Sequence, residues 1–377
     1  MYFHHLHFYV QDTAAWTEWF GQKLSFDSSL VTSKCAESDS RRPYPTQPYR
    51  ALTQGNIEIR LSAPSRTSES QLFKNQSPAP AASPAQVCEV ETYLQQHPSG
   101  LVDIAFATDQ FDAVLEQALS QDAALLVPVT RNSVGQRQCQ LSGWAHLRHT
   151  LVEVSDKWIA EQNRAQLSDL RLSDIDHVVI NVPQGELQSA AVWYQKVFGM
   201  ASGQQFDIQT ARSGLHSQVL VHPDGPLQLP INEPSSPNSQ IQEFLQHNRG
   251  AGVQHVALRS GDAVGAIAHF RQQGLDLLKV PPTYYDSLQQ RGDCPVKDLS
   301  AISRQQILID WPQGGQHGML LQTFTQPIFD EPTFFFEIIE RRSYIEDGQL
   351  KAVKGFGEGN FQALFEAIER SQVERRS

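Results

Sequence analysis

The chain repeats the pattern of FHHLHFYVQDTAAWTEWFGQKLSF (Phe3–Phe26) at DIDHVVINVPQGELQSAAVWYQKVFGM (Asp174–Met200). Each copy begins with a short run in which side chains alternate, the period of a β-strand. After a loop, each continues as an amphipathic helix that carries Trp with a second aromatic residue and ends near a Phe-Gly pair. Such an internal repeat indicates a chain built from copies of one small unit.

Two further pairs of segments extend the repeat. The segment Gly100–Val129 resembles Gly252–Pro281, and both predict a strand, a helix and a second strand. The segments Arg50–Pro64 and Ser217–Pro234 each predict a hairpin that closes the first and the third unit. The sequence therefore predicts an α+β fold of four βαβββ units, arranged as two similar halves.

The repeat also suggests a domain division. Residues 1–156 hold the first two units and 174–377 the last two, while the polar segment 157–173 has a helical pattern typical of a connector.

At the C-terminus, apolar side chains from Phe361 to Ile368 recur with the spacing of an amphipathic helix, and Asn360 is placed to cap it. This helix is expected either to cover the site as a lid or to pack statically; the sequence leaves both open.

Composition limits the class of protein. The chain has 377 residues, with 40% hydrophobic and 19% charged residues, and it contains no apolar run long enough to cross a bilayer. Its net charge of −11 disfavours a surface for nucleic acid or anionic lipid. We therefore expect a globular protein with no nucleic-acid or membrane partner.

The first residues and the cysteines bear on the compartment. The start MYFHHLHFYVQD lacks the basic and apolar regions of a secretory signal, so a cytoplasmic location is expected. The four cysteines have neither zinc-site nor disulfide-framework spacing, and we expect reduced thiols at Cys35, Cys88, Cys139 and Cys294.

One carboxylate stands out in the stretch PTFFFEIIERRS (Pro332–Ser343), where Glu337 lies in an otherwise apolar run typical of a buried strand. An unpaired buried carboxylate costs several kcal/mol, so such a residue must be protonated, paired with a cation or bound to a metal. The rest of the chain has to supply its partner.

Two histidines at matching places are the candidate partners. His177 lies in the first strand of the third unit and His255 in the first strand of the fourth, so the repeat brings them close in space. Either histidine alone would more simply be a core residue. Two matched histidines with a buried glutamate instead match the facial triad of non-haem Fe(II) oxygenases, which leaves positions open for substrate and O₂. The sequence therefore predicts a metal site at His177, His255 and Glu337.

The N-terminal half does not repeat this set. It has His5 at the place of His177 but Asp103 at the place of His255, so we expect a scaffold with a degenerate metal site. The stretch HHLHF is interpreted as strand residues with solvated neighbours.

Seven segments carry a resemblance to a known family: DHVVINVP, SGLHSQVLV, LPINEP, SQIQEFLQHNRGAGVQHVAL, LLQTFTQP, FFFEIIERR and GFGEGNFQALFEAIE. In order and spacing, over Leu172–Arg370, they resemble the 4-hydroxyphenylpyruvate dioxygenase family. The resemblance implies the vicinal-oxygen-chelate (glyoxalase-like) fold, with two open barrel-like domains. It also implies one Fe(II) per chain, held by His177, His255 and Glu337.

The resemblance further implies a reaction and a pocket. Members convert 4-hydroxyphenylpyruvate and O₂ to homogentisate and CO₂ by oxidative decarboxylation, ring hydroxylation and side-chain migration, with no catalytic residue needed beyond the metal centre. The positions that match polar pocket residues are Ser217, Asn232, Gln240 and Gln254. Those that match the pocket wall are Gln322, Phe324 and Phe335, and those that match the closing segment are Phe356, Asn360 and Phe361. Strict strand alternation turns Gln254 away from the face of His255, so either a bulge or a supporting role behind His255 is needed.

Alternatives remain at this point. 4-Hydroxymandelate synthase shares the triad and the substrate but hydroxylates the benzylic carbon, and a non-catalytic binding protein could share the fold. The resemblance also implies a homo-oligomer, a dimer or a tetramer. It places the product in tyrosine catabolism or in plastoquinone and tocopherol biosynthesis.

Overall fold

The structure is a computed structural model that describes residues 1–29, 48–64, 89–165, 171–210, 213–290, 294–296, 298–311, 318–346, 349–351, 353, 355–357 and 360. The predicted C-terminal helix, with Phe361, lies outside the described residues, as do Cys35 and Cys88. Cys139 and Cys294 are free thiols. None of the described helices is long and apolar enough to cross a bilayer.

The strands are β1 (Tyr2–Tyr9), β2 (Asp27–Ser29), β3 (Arg50–Gln54), β4 (Ile57–Ser62), β5 (Gly100–Thr108), β6 (Leu125–Arg131), β7 (Arg137–Ser142), β8 (Arg148–Glu153), β9 (Asp174–Asn181), β10 (Ala201–Gln209), β11 (Gly214–Val221), β12 (Gln228–Pro234), β13 (Gly252–Arg259), β14 (Leu308–Asp310), β15 (Met319–Phe324), β16 (Phe335–Arg342), β17 (Tyr344–Glu346) and β18 (Gln349–Lys351). The helices are α1 (Thr13–Leu24), α2 (Glu89–Gln96), α3 (Phe111–Ser120), α4 (Asp156–Ala165), α5 (Leu187–Phe198), α6 (Gln240–Asn248), α7 (Ala263–Gln272), α8 (Pro282–Gln290) and α9 (Ser300–Arg304).

These elements form the four predicted βαβββ units. The first sheet has the order β2-β3-β4-β1-β5-β8-β7-β6, and the second has the order β10-β11-β12-β9-β13-β16-β15-β14. The two orders are the same, because each strand number in the second sheet is eight higher than its counterpart in the first. Helices α1, α3, α5 and α7 each follow the first strand of a unit. Each sheet is a curled half-barrel, which confirms the predicted fold class. A separate two-stranded ribbon, β17–β18, follows the second sheet.

Local sequence signals set the helix ends. Asp12 caps α1 because its Oδ1 accepts hydrogen bonds from the amides of Ala14 and Ala15, at 2.8 and 3.2 Å. Helix α5 ends at Gly199, whose φ of +65° is the left-handed conformation that favours glycine. The repeated Phe-Gly pair thus marks a helix end in the third unit.

The two sheets share one hydrophobic core. Phe20 of α1 packs edge-on against Phe336 of β16 in the second sheet, with ring centroids 5.9 Å apart. Phe198 of α5 packs in the same way against Phe106 of the first sheet, at 5.2 Å. The first helix of each half therefore contacts the sheet of the other half, and burial of these rings holds the two sheets together.

One expectation about the first strand is wrong. The histidines of HHLHF do not lie among solvated neighbours, because His5 and His7 are both buried. Burial lowers the pKa of His7 to about 3, and its Nε2 lies 2.8 Å from the Ser62 hydroxyl. Hydrogen bonding inside the half-barrel, rather than solvent, accommodates these side chains.

Candidate metal centre

Strand register places the three predicted ligands on one face of the second sheet. On β13, Ala257 pairs with His177 of β9 on one side and with Glu337 of β16 on the other. His255 lies two residues before Ala257, so the twofold period of the strand returns it to the same face. Three neighbouring strands thus converge their side chains on one point inside the half-barrel.

The ligand atoms are close enough to share one ion. The Nε2 atoms of His177 and His255 lie 3.3 and 3.7 Å from Oε2 of Glu337, and the three donor atoms all lie within 4.8 Å of one another. Ligands bonded to one metal at about 2.1 Å lie roughly 3 to 4 Å apart, so these separations fit. Within the described part of the chain this is the one cluster of its kind.

A buried ion network orients His177. Its Nδ1 donates to Oδ1 of Asp176 at 2.9 Å, which leaves Nε2 directed at Glu337. Asp176 also accepts hydrogen bonds from Arg259 and Arg341. Although burial works against its charge, the two guanidinium groups hold the pKa of Asp176 well below its usual range.

The charge around His177 suits a cation. Burial by itself lowers the pKa of this imidazole, but Glu337 and Asp176 outweigh burial and raise the pKa of His177 to about 9. The carboxylates of Glu337 and Asp176 therefore stabilise a positive charge at His177, and a divalent ion bound there would be stabilised in the same way. Two neutral imidazoles and one carboxylate are the donor set of the facial triad, so the residues fit Fe(II).

His255 is held by its neighbours. Its Nδ1 donates to Oε1 of Gln254 at 3.2 Å, and its ring stacks on Phe335 with centroids 4.8 Å apart. Burial, together with the nearby His177, lowers the pKa of His255 well below its usual range, so this ligand is neutral. The strand register shifts between Val253 and His255, a bulge that lets Gln254 support His255 and also reach the cavity.

A second chain of hydrogen bonds orients Glu337. Its Oε1 accepts from Nε2 of Gln322 at 2.9 Å, which leaves Oε2 for the histidines. Gln322 also donates to the carbonyl of Phe356 and accepts from Asn360, at 2.9 and 2.8 Å. The Tyr284 hydroxyl of α8 donates to Oδ1 of Asn360 at 2.9 Å. The amide of Gln322 is thus occupied within the protein and fixes the ligand.

A cavity opens in front of the triad, with about 650 Å³ of unfilled space, part of it open to solvent. Eight of the predicted pocket residues line it: Ser217, Asn232, Gln240, Gln254, Gln322, Phe324, Phe335 and Phe356. Asn360 does not line the cavity but supports Gln322 from behind. The predicted role of Phe361 lies outside the described residues.

Sequence reasoning missed several residues of the site. Phe206 and Ile208 line the cavity from β10, and their signal was present as two alternating apolar residues in an otherwise polar strand. Leu215 of β11 completes this apolar wall. Asp176 was also missed, because strict alternation turns the residue before His177 to the opposite face, and the register shift at this point of β9 was not visible in the sequence.

The first sheet holds no such cluster among the residues that the structure describes. By strand register, His5, Asp103 and Thr150 take the places of His177, His255 and Glu337. Asp103 accepts hydrogen bonds from the backbone amide of Thr150 and from Gln140, both at 2.8 Å. Burial raises the pKa of Asp103. This carboxyl group is therefore satisfied by neutral donors rather than by a cation.

Comparisons with known proteins support the fold and indicate the family. The profile of the Glyoxalase/Bleomycin resistance protein/Dioxygenase superfamily matches residues 174–298. A mutant of 4-hydroxymandelate synthase from Streptomyces coelicolor superposes with a TM-score of 0.74 over 98% of both chains, at 23% identity, and so shares the fold.

One curated relative, the uncharacterized protein slr0090 of Synechocystis, is 35% identical over 77% of this chain, and several others are 4-hydroxyphenylpyruvate dioxygenases. The one from Neurospora crassa is 33% identical over 354 residues, which cover 87% of this chain and 82% of the relative. The one from Danio rerio is 30% identical over 397 residues, which cover 99% of this chain and 91% of the relative. Because similarity of this level extends over nearly the whole length, the chain belongs to the 4-hydroxyphenylpyruvate dioxygenase family.

Proposed function

We propose that this chain is an Fe(II)-dependent 4-hydroxyphenylpyruvate dioxygenase, which converts 4-hydroxyphenylpyruvate and O₂ to homogentisate and CO₂. The observation that carries the proposal is a buried triad of two histidines and one glutamate that faces an aromatic-walled cavity. We further infer that residues 174–377 form the catalytic domain and that 1–156 are its scaffold.

His177, His255 and Glu337 would hold the ion on one side and leave its cavity side open to the substrate. When bound there, Fe(II) supplies the activation of O₂ that oxidative decarboxylation and ring hydroxylation need. The protein keeps the ligands in position, through Asp176 behind His177 and Gln322 behind Glu337. Such supporting contacts fix ring tautomers and carboxylate orientation before the substrate arrives.

The cavity walls suit an aromatic keto acid. Phe324, Phe335 and Phe356 offer apolar surface for the ring near the triad. Oε1 of Gln240 is buried and has no partner within the described residues, so it needs a donor, and the substrate phenol would supply one. Ser217 and Asn232 provide further polar groups on the same wall. The substrate would thus be oriented with its phenol on the polar wall and its keto acid toward the metal.

The proposal is tested by product analysis. The purified protein is loaded with Fe(II) and incubated with 4-hydroxyphenylpyruvate in air, and the products are identified by chromatography and mass spectrometry. Homogentisate with one CO₂ per O₂ consumed is the expected result. 4-Hydroxymandelate as the product would assign the synthase activity instead, and binding of the keto acid without turnover would indicate a non-catalytic protein.

A separate variant tests whether Gln240 orients the substrate. Gln240→Leu removes the unpaired carbonyl but keeps a side chain of similar size and all three ligands. We expect it to retain Fe(II) but to lose turnover by on the order of tenfold or more, because one hydrogen bond to the phenol is lost. Unchanged turnover would show that Gln240 does not orient the substrate.

A further inference from the structure

Asp176 lies at the centre of a buried charge network directly behind the metal site. It is completely buried, and each of its two carboxylate oxygens accepts a short hydrogen bond from a guanidinium group. Arg259 binds Oδ2 through Nε and Nη2, at 3.0 and 2.6 Å. Arg341 binds both oxygens, through Nε at 2.8 Å and Nη2 at 2.7 Å. This two-point geometry is the strongest form of a carboxylate–arginine pair.

Among the described residues, Arg341 has a second set of contacts that Arg259 lacks. Its Nη1 donates to the backbone carbonyls of Val353 and Gly355, at 3.2 and 2.8 Å. These residues belong to the closing segment, residues 353–360, of which Val353, Gly355, Phe356, Gly357 and Asn360 are described. Arg341 therefore contacts this segment and the carboxylate behind His177 at the same time.

The closing segment in turn contacts the metal ligands. The ring of Phe356 packs edge-on against the His177 imidazole, with centroids 5.1 Å apart. Its carbonyl accepts a hydrogen bond from Gln322, which also holds Glu337. The closing segment thus contacts the metal site on its cavity side, while Arg341 and Asp176 connect the segment to His177 on the opposite side.

The fold itself does not require this network, as the first sheet shows. At the places of Asp176, Arg259 and Arg341, the same strand register puts His4, Ala107 and Val154. Ala107 and Val154 belong to one apolar cluster with Trp158 of α4, and His4 stacks on Trp158 with centroids 5.8 Å apart. An equivalent sheet is therefore built without the charges, which points to a task specific to the metal-site half.

We propose that Arg341 is a positioning residue that couples the closing segment to the metal ligand His177 through Asp176, so that metal binding and seating of the segment stabilise each other. The proposal rests on the metal site of the proposed function. Because such a coupling is reciprocal, an ion that orders His177 and Asp176 also orders Arg341 and the carbonyls it holds. Arg341 can do this because its planar group has donors on several edges, whereas lysine offers one point of charge.

The test compares Arg341→Gln and Arg341→Lys with Arg259→Gln. Arg259→Gln is the matched control because it removes a guanidinium group from the same carboxylate but spares the contacts with Val353 and Gly355. Arg341→Lys keeps the charge next to Asp176, so it carries the test if the glutamine variant does not fold. Each full-length protein is titrated with Co(II) under argon. Hydrogen exchange of the amides in residues 353–360 is then measured with and without Co(II).

In the wild type, Co(II) is expected to slow exchange in residues 353–360. Both Arg341 variants should lose most of this slowing and bind Co(II) on the order of tenfold more weakly. Arg259→Gln should bind Co(II) more weakly as well but keep the metal-dependent slowing. The proposal is wrong if Arg341→Lys keeps the slowing, if Arg259→Gln loses it equally, or if Co(II) does not slow exchange in the wild type.

The hydrogen-exchange experiment tests the coupling through Arg341 separately from the enzymatic reaction. A protein that shows the coupling but forms no homogentisate would leave this proposal standing and contradict the proposed function. Homogentisate formation without Co(II)-dependent slowing of exchange would support the proposed function and contradict the coupling through Arg341.

Discussion

The first and second sheets have the same strand order and the same pairing at the central strands, yet their matched positions carry different chemistry. Where the second sheet has His177, His255 and Glu337, the first has His5, Asp103 and Thr150. Where the second sheet surrounds its site with Asp176, Arg259 and Arg341, the first has His4, Ala107 and Val154. The half-barrel thus supplies convergent positions, and a few side chains decide whether a set of potential metal ligands results.

The two halves also deal differently with a buried carboxyl group. Both oxygens of Asp103 accept hydrogen bonds from Thr150 or Gln140 inside the first sheet, so neutral donors satisfy this carboxyl group. Glu337 uses one oxygen for Gln322 and directs the other at two imidazoles. A carboxylate oxygen that faces two imidazole nitrogens offers a set of potential metal-ligand atoms, whereas a carboxyl group that accepts hydrogen bonds from neutral donors is satisfied without an ion.

The largest expected effect comes from removing the carboxylate ligand. Glu337→Ala should reduce bound metal from one ion per chain to nearly none. Turnover should fall by more than about 100-fold, the upper end of what loss of a merely supporting residue costs. Metal analysis after gel filtration and homogentisate assays check both, and His177→Ala and His255→Ala should behave alike.

The matched control for this change is Thr150→Ala in the first sheet, which should leave metal content and turnover unchanged. Wild-type metal retention and activity in Glu337→Ala would show that the triad assignment is wrong.

A second comparison concerns pH. His149 of β8 occupies the place of Phe336 of β16, and it lies between Phe106 and Tyr194 in the core shared by the two sheets. Burial lowers the pKa of His149 to about 4, against 6.5 in the unfolded chain. The unfolded chain therefore binds the proton first, and stability present above pH 6.5 is lost as pH falls towards 4. The difference amounts to about 3 kcal/mol.

His149→Phe makes the two halves alike at this position. Urea unfolding of the wild type and the variant between pH 4 and 7 should show that the variant loses about 3 kcal/mol less over that range. At pH 7 the variant should be about 1 kcal/mol less stable, because the bonds to Tyr194 and Ile104 are gone. Parallel pH profiles of the two proteins would contradict the assignment.

The smallest effect is expected at Asp103. Asp103→Asn replaces an acceptor by a donor opposite Gln140 and Thr150, so the free energy of unfolding should fall by about 1 to 3 kcal/mol. Metal content should stay at one ion per chain, and His5→Ala should leave it unchanged too. The matched change in the other sheet, His255→Asn, should instead abolish metal binding. Two ions per wild-type chain, or loss of the ion in Asp103→Asn, would show that the first sheet is more than a scaffold.

The sequence by itself determined the repeat, the unit and the three candidate ligands. The four units are visible because each contains its own strand and helix periodicity, which depends only on residues close in the chain. His177, His255 and Glu337 could be found because strand alternation is also local, and because matched units place matched strands side by side.

Only the tertiary structure decided which distant side chains support those ligands. Asp176 meets Arg259 and Arg341, which are 83 and 165 residues away, because β9, β13 and β16 are neighbours in one register. The bulge before His255 turns Gln254 toward the cavity, against the alternation expected from sequence. The burial of HHLHF likewise depends on the curvature of the first sheet. Such features follow from strand order, bulges and sheet closure, which arise between segments far apart in the chain and leave no periodic signal in any one of them.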